Sequence, residues 1–351
     1  MSSLSYNEQI DRENVLKLRK LTLALPPYCK DFFRGIEPRT QSRTRIAYAY
    51  DLNVFFQFLL KANPVLEKKY KKIRDIPIEV LENLSPVDLE EYMEYLKYRK
   101  EEEKEIVNKG QGIQRKLSTL KSLYRYLYRT EKIEHNPTER ILMPKTKIKD
   151  IVHLDEDEVE MMLSAVESGR KLTTKQRTYH DKTKLRDLTL LSLMLGTGIR
   201  VSECVGLNIQ DVDLKNDGIK ILRKGGKEVT VYFGDEVEEL LTEYMEYRKS
   251  ILAAPGHEDA LFLSMQKKRL GVRSVEKMVK KYALSVETLK KITPHKLRST
   301  YGTNLYKETG DIYLVADVLG HTDVNTTKRH YAAIEEDRRK SARNKIKLRK
   351  Q

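Results

Sequence analysis

The sequence predicts a mainly α protein with a small β-sheet, built as an all-helical N-terminal domain followed by a mixed α/β domain. Three observations lead there. Residues 5 to 134 carry apolar positions at helical spacing throughout. Residues 135 to 153, HNPTERILMPKTKIKDIVH, hold two prolines and little periodicity. Beyond them, DVDL, GIKIL and EVTVYF read as three short strands set among further helices. At 351 residues the chain exceeds what one compact core ordinarily holds, so two domains are expected. The expected division is 1–134 for the helical domain, 135–153 for a linker, 154–336 for the mixed domain and 337–351 for a basic tail.

In order along the chain, ENVLKLRKLTLAL has helical periodicity, which Pro26-Pro27 breaks. After Pro38, RTQSRTRIAYAYDLNVFFQFLLK begins with capping hydroxyls and arginines and continues as a long amphipathic stretch. SPVDLEEYMEYLKYRK reads as a helix capped by Ser85, with Pro86 at its first position. QGIQRKLSTLKSLYRYLYRTEKI closes the helical domain. In the second half, LDEDEVEMMLSAV is a helix with an acidic start, and GRKLTTKQRTYHDKTK (169–184) reads as a basic loop or insertion. KLRDLTLLSLMLGTG and IRVSECVGL read as two helices joined at a glycine turn. After the three strands, GDEVEELLTEYMEYRKS, RSVEKMVKKYAL, PHKLRSTYGTNLYKE, DIYLVADVLG and the segment around Tyr331 return to helix. The tail RRKSARNKIKLRK has eight basic residues and no acidic one, a disordered run or a docking helix.

Net charge is +15 with 34% charged residues, which points to a polyanionic partner, nucleic acid or an anionic membrane face. The apolar run LTLLSLMLG is about half the length a membrane span needs. The polar start MSSLSYNEQIDREN has no apolar core of a secretory signal. Cys29 and Cys204 lie far apart without metal-type spacing, which fits a reducing, cytoplasmic setting.

No zinc-type His/Cys spacing, nucleotide-binding glycine loop or serine-nucleophile motif is present. Neither a metal nor a cofactor is therefore expected, and catalytic charge would come from cationic side chains. The candidates are Arg200 after a glycine turn, Lys224 in RKGGKE, His295 and Arg298 in PHKLR, His321 in LGH, and Tyr331. Singly, each has an ordinary reading. Arg200 could cap a helix, Lys224 could be a solvated hairpin lysine, and His295 could be a cap sharing a helix face with Arg298. His321 could simply end a helix, and Tyr331 is one of 20 tyrosines.

Jointly, TGIRVSE, KGGKE, HKLR, LGH and Tyr331, in that order, resemble the tyrosine recombinase (phage integrase) superfamily. The resemblance covers nearly the whole chain. QRKLSTLKSLYRYLYRTEKIEHNP resembles part of that family's helical core-binding domain, and the second half resembles its catalytic domain. Among subfamilies the chain is most similar to the Xer recombinases, in particular the type that works without a second recombinase. The resemblance implies a two-domain clamp on double-stranded DNA and a homotetramer on two paired sites. It implies chromosome-dimer resolution at a dif-like site, with the FtsK translocase as a further partner. A mobile-element integrase is the alternative.

The resemblance also assigns roles. Tyr331 becomes the nucleophile that forms a 3′-phosphotyrosine, and Arg200 and Arg298 bracket the scissile phosphate. Lys224 protonates the leaving 5′-oxygen, His295 and His321 move protons and hydrogen-bond the phosphate, and Glu203 orients the site. The residue types suit the chemistry. A planar guanidinium matches phosphoryl oxygens bidentately, and a covalent intermediate conserves the phosphodiester energy, so rejoining needs no ATP. In the common family pattern the second histidine precedes the tyrosine by nine residues; here His321 precedes Tyr331 by ten, and His330 occupies the ninth position.

DNA contacts outside the site are expected from Arg39, Thr40, Ser42, Arg43 and Thr44 at a helix start. Gln114, Arg115, Lys116, Ser118, Thr119 and Lys121 lie on the helix that resembles the family's DNA-facing one. A solvated basic face is the ordinary alternative for both groups. Lys171, Lys175 and Arg177, in the basic loop, are weaker candidates.

Overall fold

The computed structural model describes residues 5–101, 103–145, 152–223, 226–286, 290–321 and 324. The chain divides into two compact units, Met1–Ile148 and Lys149–Gln351.

The first unit contains α1 (Tyr6–Thr22), α2 (Tyr28–Ile36), α3 (Ser42–Ala62), α4 (Pro64–Lys69), α5 (Ile78–Glu82), α6 (Pro86–Lys97) and α7 (Gly110–Arg129). Local chemistry sets several boundaries. Ser5 and Glu8 form a reciprocal capping box on α1. Ser85 and Asp88 do the same on α6, with Pro86 in the first turn as expected. The core is aromatic. Phe55, Phe56 and Tyr92 are buried with Leu52, Leu120, Leu123 and Tyr124. The Phe55 and Tyr92 rings meet edge to face at 5.1 Å.

This unit departs from the wholly helical expectation in one place. KYRKEEEKEIV turns back as an antiparallel ribbon, β1 (Tyr98–Glu101) with β2 (Lys104–Val107). The segment is dominated by lysine and glutamate and has no apolar helical stripe. Its cross-strand pairs therefore place opposite charges together, Glu101 with Lys104 and Lys100 with Glu105. The short helices α2, α4 and α5 were also not anticipated. Each begins beside or at a proline (Pro27, Pro64, Pro77), a residue that otherwise reads as a breaker.

The second unit contains α8 (Glu156–Ser168), α9 (Thr174–Thr197), α10 (Val201–Gly206), β3 (Val212–Asp213), β4 (Gly218–Leu222), β5 (Glu228–Tyr232), α11 (Asp235–Lys249), α12 (Val272–Ala283), α13 (Pro294–Thr309) and α14 (Ile312–Leu319). The three expected strands form one antiparallel sheet in the order β3-β4-β5, with Ile219 opposite Val231. Helix α9 is central, and α8, α11 and α13 pack on it. Its Leu190, Leu191, Leu193 and Met194 are fully buried.

The expected basic loop over 169–184 is corrected. Thr173 and Gln176 make a capping box, and α9 starts at Thr174, so Lys175 and Arg177 lie on its exposed first turn. The capping pair sits inside a run of charge that masks the helical pattern. Cys29 and Cys204 are buried free thiols, and burial pushes both well above the usual cysteine range. Among the described residues no helix is long and apolar enough to cross a membrane.

Helix α9 stops at Gly198, whose φ of 63° lies in the left-handed region. A Cβ added there would lie 2.5 Å from Tyr301 Cδ1 and 2.9 Å from Leu319 Cδ2. Gly198→Ala is therefore expected to destabilise the second unit by more than the roughly 1–2 kcal/mol of the left-handed backbone alone. Denaturant titration would check this; a loss below that range would show that the neighbours yield without cost.

Candidate active site

The end of α14 gathers the chemistry of the second unit. Four backbone carbonyls at a helix C-terminus have no partner within the helix and carry the negative end of its dipole. Here three arginines from separate elements meet them. Arg223, just after β4, donates from Nη1 to Asp317 O (3.1 Å) and from Nη2 to Val318 O (2.5 Å). Arg298 of α13 donates to Leu319 O from Nη2 and to Gly198 O (2.5 Å) from Nη1. Arg200, at the start of α10, donates from Nη2 to Gly320 O (3.1 Å). Gly320 takes a left-handed φ of 59°, and the His321 amide bonds back to Ala316 O at 2.8 Å, closing a Schellman turn.

This cluster has a built-in counter-charge. The Glu203 carboxylate accepts from the Arg200 backbone N–H (2.9 Å) and from its Nη1 (2.8 Å). The Glu203 side chain is 7% exposed against 36% for Arg200, so the acid is interior and the arginine keeps an open edge. Arg298 is buried at 5% exposure. Arg223 is half-buried; desolvation lowers its pKa, Glu203 opposes that shift, and Arg200 adds to it. Such a group of fixed cations is preorganised for an anion whose charge rises during reaction.

Of the expected catalytic residues, the structure brings Arg200, Arg298 and His321 to this helix end. His295 is exposed in the first turn of α13, three residues before Arg298 on the same helix. Lys224, Tyr331 and His330 lie outside the described residues. Sequence reasoning missed Arg223. Its only signal was adjacency to Lys224 in LRKGGKE, where attention falls on the lysine.

The expected DNA-facing residues of the first unit divide into outward and internal groups. Arg39 and Arg43 are exposed, and Thr44 is half-buried. Thr40 Oγ1 is committed to Ile36 O (2.6 Å), and the buried Ser42 Oγ accepts from Asn14 Nδ2 (3.0 Å). Arg45, not singled out from sequence, is buried and holds this turn. Its Nη1 donates to Glu37 O (3.0 Å) and Thr40 O (2.9 Å). On α7, Lys116 and Thr119 are corrected from surface to interior positions. Lys116 Nζ donates to Asp51 Oδ1 (2.9 Å) and Thr119 Oγ1 to Asp51 Oδ2 (2.9 Å). Asp51 is itself buried and also receives the Arg115 fork, with Nη2 at 2.6 Å from Oδ1. Helical periodicity places a residue on a face, but the buried acid opposite decides where it points. Arg115 stays 51% exposed and Ser118 is exposed. Gln114 and Lys121 are half-buried and reach Pro144 O (2.5 Å) and Ile141 O (3.5 Å).

Comparison with known proteins shows the family. Residues 153–338 match the phage integrase family. The chain is 32% identical to tyrosine recombinase XerS of Streptococcus gordonii, over 94% of this chain and 98% of that protein. It is 31% identical to tyrosine recombinase XerC of Caldanaerobacter subterraneus subsp. tengcongensis, over 92% and 87%. The crystal structure of XerH recombinase bound to a palindromic difH substrate, a post-cleavage complex, aligns with a TM-score of 0.68 at 20% identity. That alignment covers 95% of this chain and 88% of XerH. The chain belongs to the phage integrase family, and within it to the tyrosine recombinases related to the Xer proteins.

Asp51→Ala would leave Lys116, whose side chain is 9% exposed, buried without its counter-ion. A loss of about 3–5 kcal/mol is expected, as for breaking a buried ion pair. Chemical denaturation would measure it, and a change under about 1 kcal/mol would remove the network from the account of stability.

Proposed function

We propose that this enzyme cuts and rejoins double-stranded DNA at a specific, dif-like site, and so resolves chromosome dimers in the cytoplasm of a dividing cell. The observation that carries the reading is the convergence of Arg200 and Arg298 beside His321 at the end of α14. The Tyr331 oxygen attacks the scissile phosphorus and loses its proton as the new bond forms. Arg200 and Arg298 hold the non-bridging oxygens, whose charge grows in the transition state. The bond to the 5′-oxygen breaks, and Lys224 supplies the proton that oxygen takes up. The result is a 3′-phosphotyrosine and a free 5′-hydroxyl. Attack by the 5′-hydroxyl of a partner strand reverses the step and releases the tyrosine. His295 and His321 add hydrogen bonds and proton transfer around the same phosphate.

Arg39, Arg43, Thr44, Arg115 and Ser118 are the side chains best placed for phosphate contacts, with Gln114 and Lys121 beside them. A homotetramer on two paired sites and activation by FtsK complete the proposal. The match along nearly the full length of XerS favours this chromosomal role over a mobile-element integrase, which would share every catalytic residue.

Tyr331→Phe removes only the nucleophilic oxygen. A substrate nicked beside the cleavage point should trap wild type as a denaturant-resistant adduct, while the variant binds the site but forms none. An adduct from the variant would move the nucleophile to His330 or elsewhere.

Adduct formation should also survive EDTA at constant ionic strength, changing by less than about twofold, because arginines and Lys224 supply the positive charge. A loss restored by magnesium would contradict the metal-independent mechanism.

A further inference from the structure

We propose that Arg223 is a positioning residue that fastens the turn bearing Lys224 to the C-terminal end of α14, so that one clamp sets both the leaving-group acid and His321. The inference rests on the recombinase reading and on Lys224 as the acid. Arg223 directly follows β4, and Lys224 is the next residue in the chain. The turn is closed at its base: Arg223 N–H donates to Lys227 O (2.9 Å) and Gly226 N–H to Arg223 O (3.1 Å).

From that base the Arg223 guanidinium reaches across to two successive carbonyls, Asp317 O and Val318 O. The next two carbonyls belong to Arg298 and Arg200. The hairpin and the two phosphate-binding arginines are thus referenced to one rigid helix end. A planar fork with two parallel donors fixes direction as well as distance, and a lysine at 223 could reach one carbonyl as a point charge. The space for this fork depends on Gly320, where a Cβ would overlap the Arg223 guanidinium.

Arg200 also commits both terminal nitrogens, to Glu203 and Gly320 O, yet its side chain stays 36% exposed, whereas the half-buried Arg223 places both of its own on α14 carbonyls. It therefore acts through Lys224. In the cleavage step the phosphorus–oxygen bond to the 5′-carbon breaks as the tyrosine oxygen bonds to phosphorus, and the departing oxygen takes a proton from Lys224 Nζ. A sulfur in place of that bridging oxygen leaves as a thiolate and needs no proton. A defect transmitted through Lys224 disappears on such a substrate, whereas a defect in phosphate binding or folding does not.

The test measures single-turnover adduct formation on nicked duplexes with a 5′-bridging oxygen or sulfur, together with single-site gel shifts and thermal melts. Arg223→Ala should bind within about twofold of wild type, since it adds no phosphate contact. It should cleave the oxygen substrate about tenfold more slowly or worse, and the sulfur substrate within about threefold of wild type. Arg223→Lys, which keeps the charge, should be intermediate. Gly320→Ala, which displaces the fork while leaving Arg223 in place, should show the same sulfur rescue and add little to Arg223→Ala in the double variant. Equal losses on both substrates, or wild-type rates on oxygen, would overturn the proposal. Lys224→Ala serves as the reference. If sulfur fails to rescue it, the assignment of Lys224 as acid is at fault. If sulfur rescues Lys224→Ala and not Arg223→Ala, the link between the two residues is at fault.

Discussion

The candidate active site of the second unit depends on one helix end. The carbonyls at the end of α14 concentrate partial negative charge from the helix dipole. Three guanidiniums use the successive carbonyls of Asp317 to Gly320 as acceptors, and they come from just after β4, the start of α10 and the first turns of α13. Without the carbonyls the arginines would repel one another; with them, cations of like sign can share a small volume. Glu203 supplies a full negative charge bonded to Arg200, and the Asp317 carboxylate acts on Arg223 as well. In the proposed function the exposed side of Arg200 is where the scissile phosphate would meet the cluster.

That arrangement needs two glycines for physical reasons. Gly198 ends α9 with a left-handed turn and lets Leu319 and Tyr301 lie against its backbone, so that its carbonyl can face Arg298. Gly320 ends α14 the same way and leaves room for Arg223. Larger residues would meet both backbone strain and occupied space. The fine geometry of the arginine cluster is here set by places where a side chain is missing.

The first unit uses the opposite device. Asp51 is a full charge in the interior, surrounded by Arg115, Lys116 and Thr119 from α7. Its contribution to net stability is small by comparison with the aromatic core, because desolvation consumes most of the attraction. Its effect is directional: it joins α3 to α7 and draws one edge of the basic helix inward, leaving Arg115 half in solvent. Arg45 in the same way ties the turn before α3.

The local sequence by itself determined most helices, the three-stranded sheet and the order of the catalytic motifs. Periodicity, capping residues such as Ser85 and Asp155, and glycine stops act within a few residues and can be read without a fold. The family motifs identified Arg200, Arg298 and His321 as a set before their convergence was seen. Tertiary structure decided what depends on distant partners. It placed Lys116 and Thr119 inside, because Asp51 lies on another helix, and it assigned Arg223 to α14, because only the fold brings that hairpin to that helix end. It also made Tyr98–Glu101 and Lys104–Val107 paired strands rather than more helix, since their charges find partners across strands. Side-chain direction and charge pairing are long-range properties, and a linear pattern carries no distance between residues far apart in the chain.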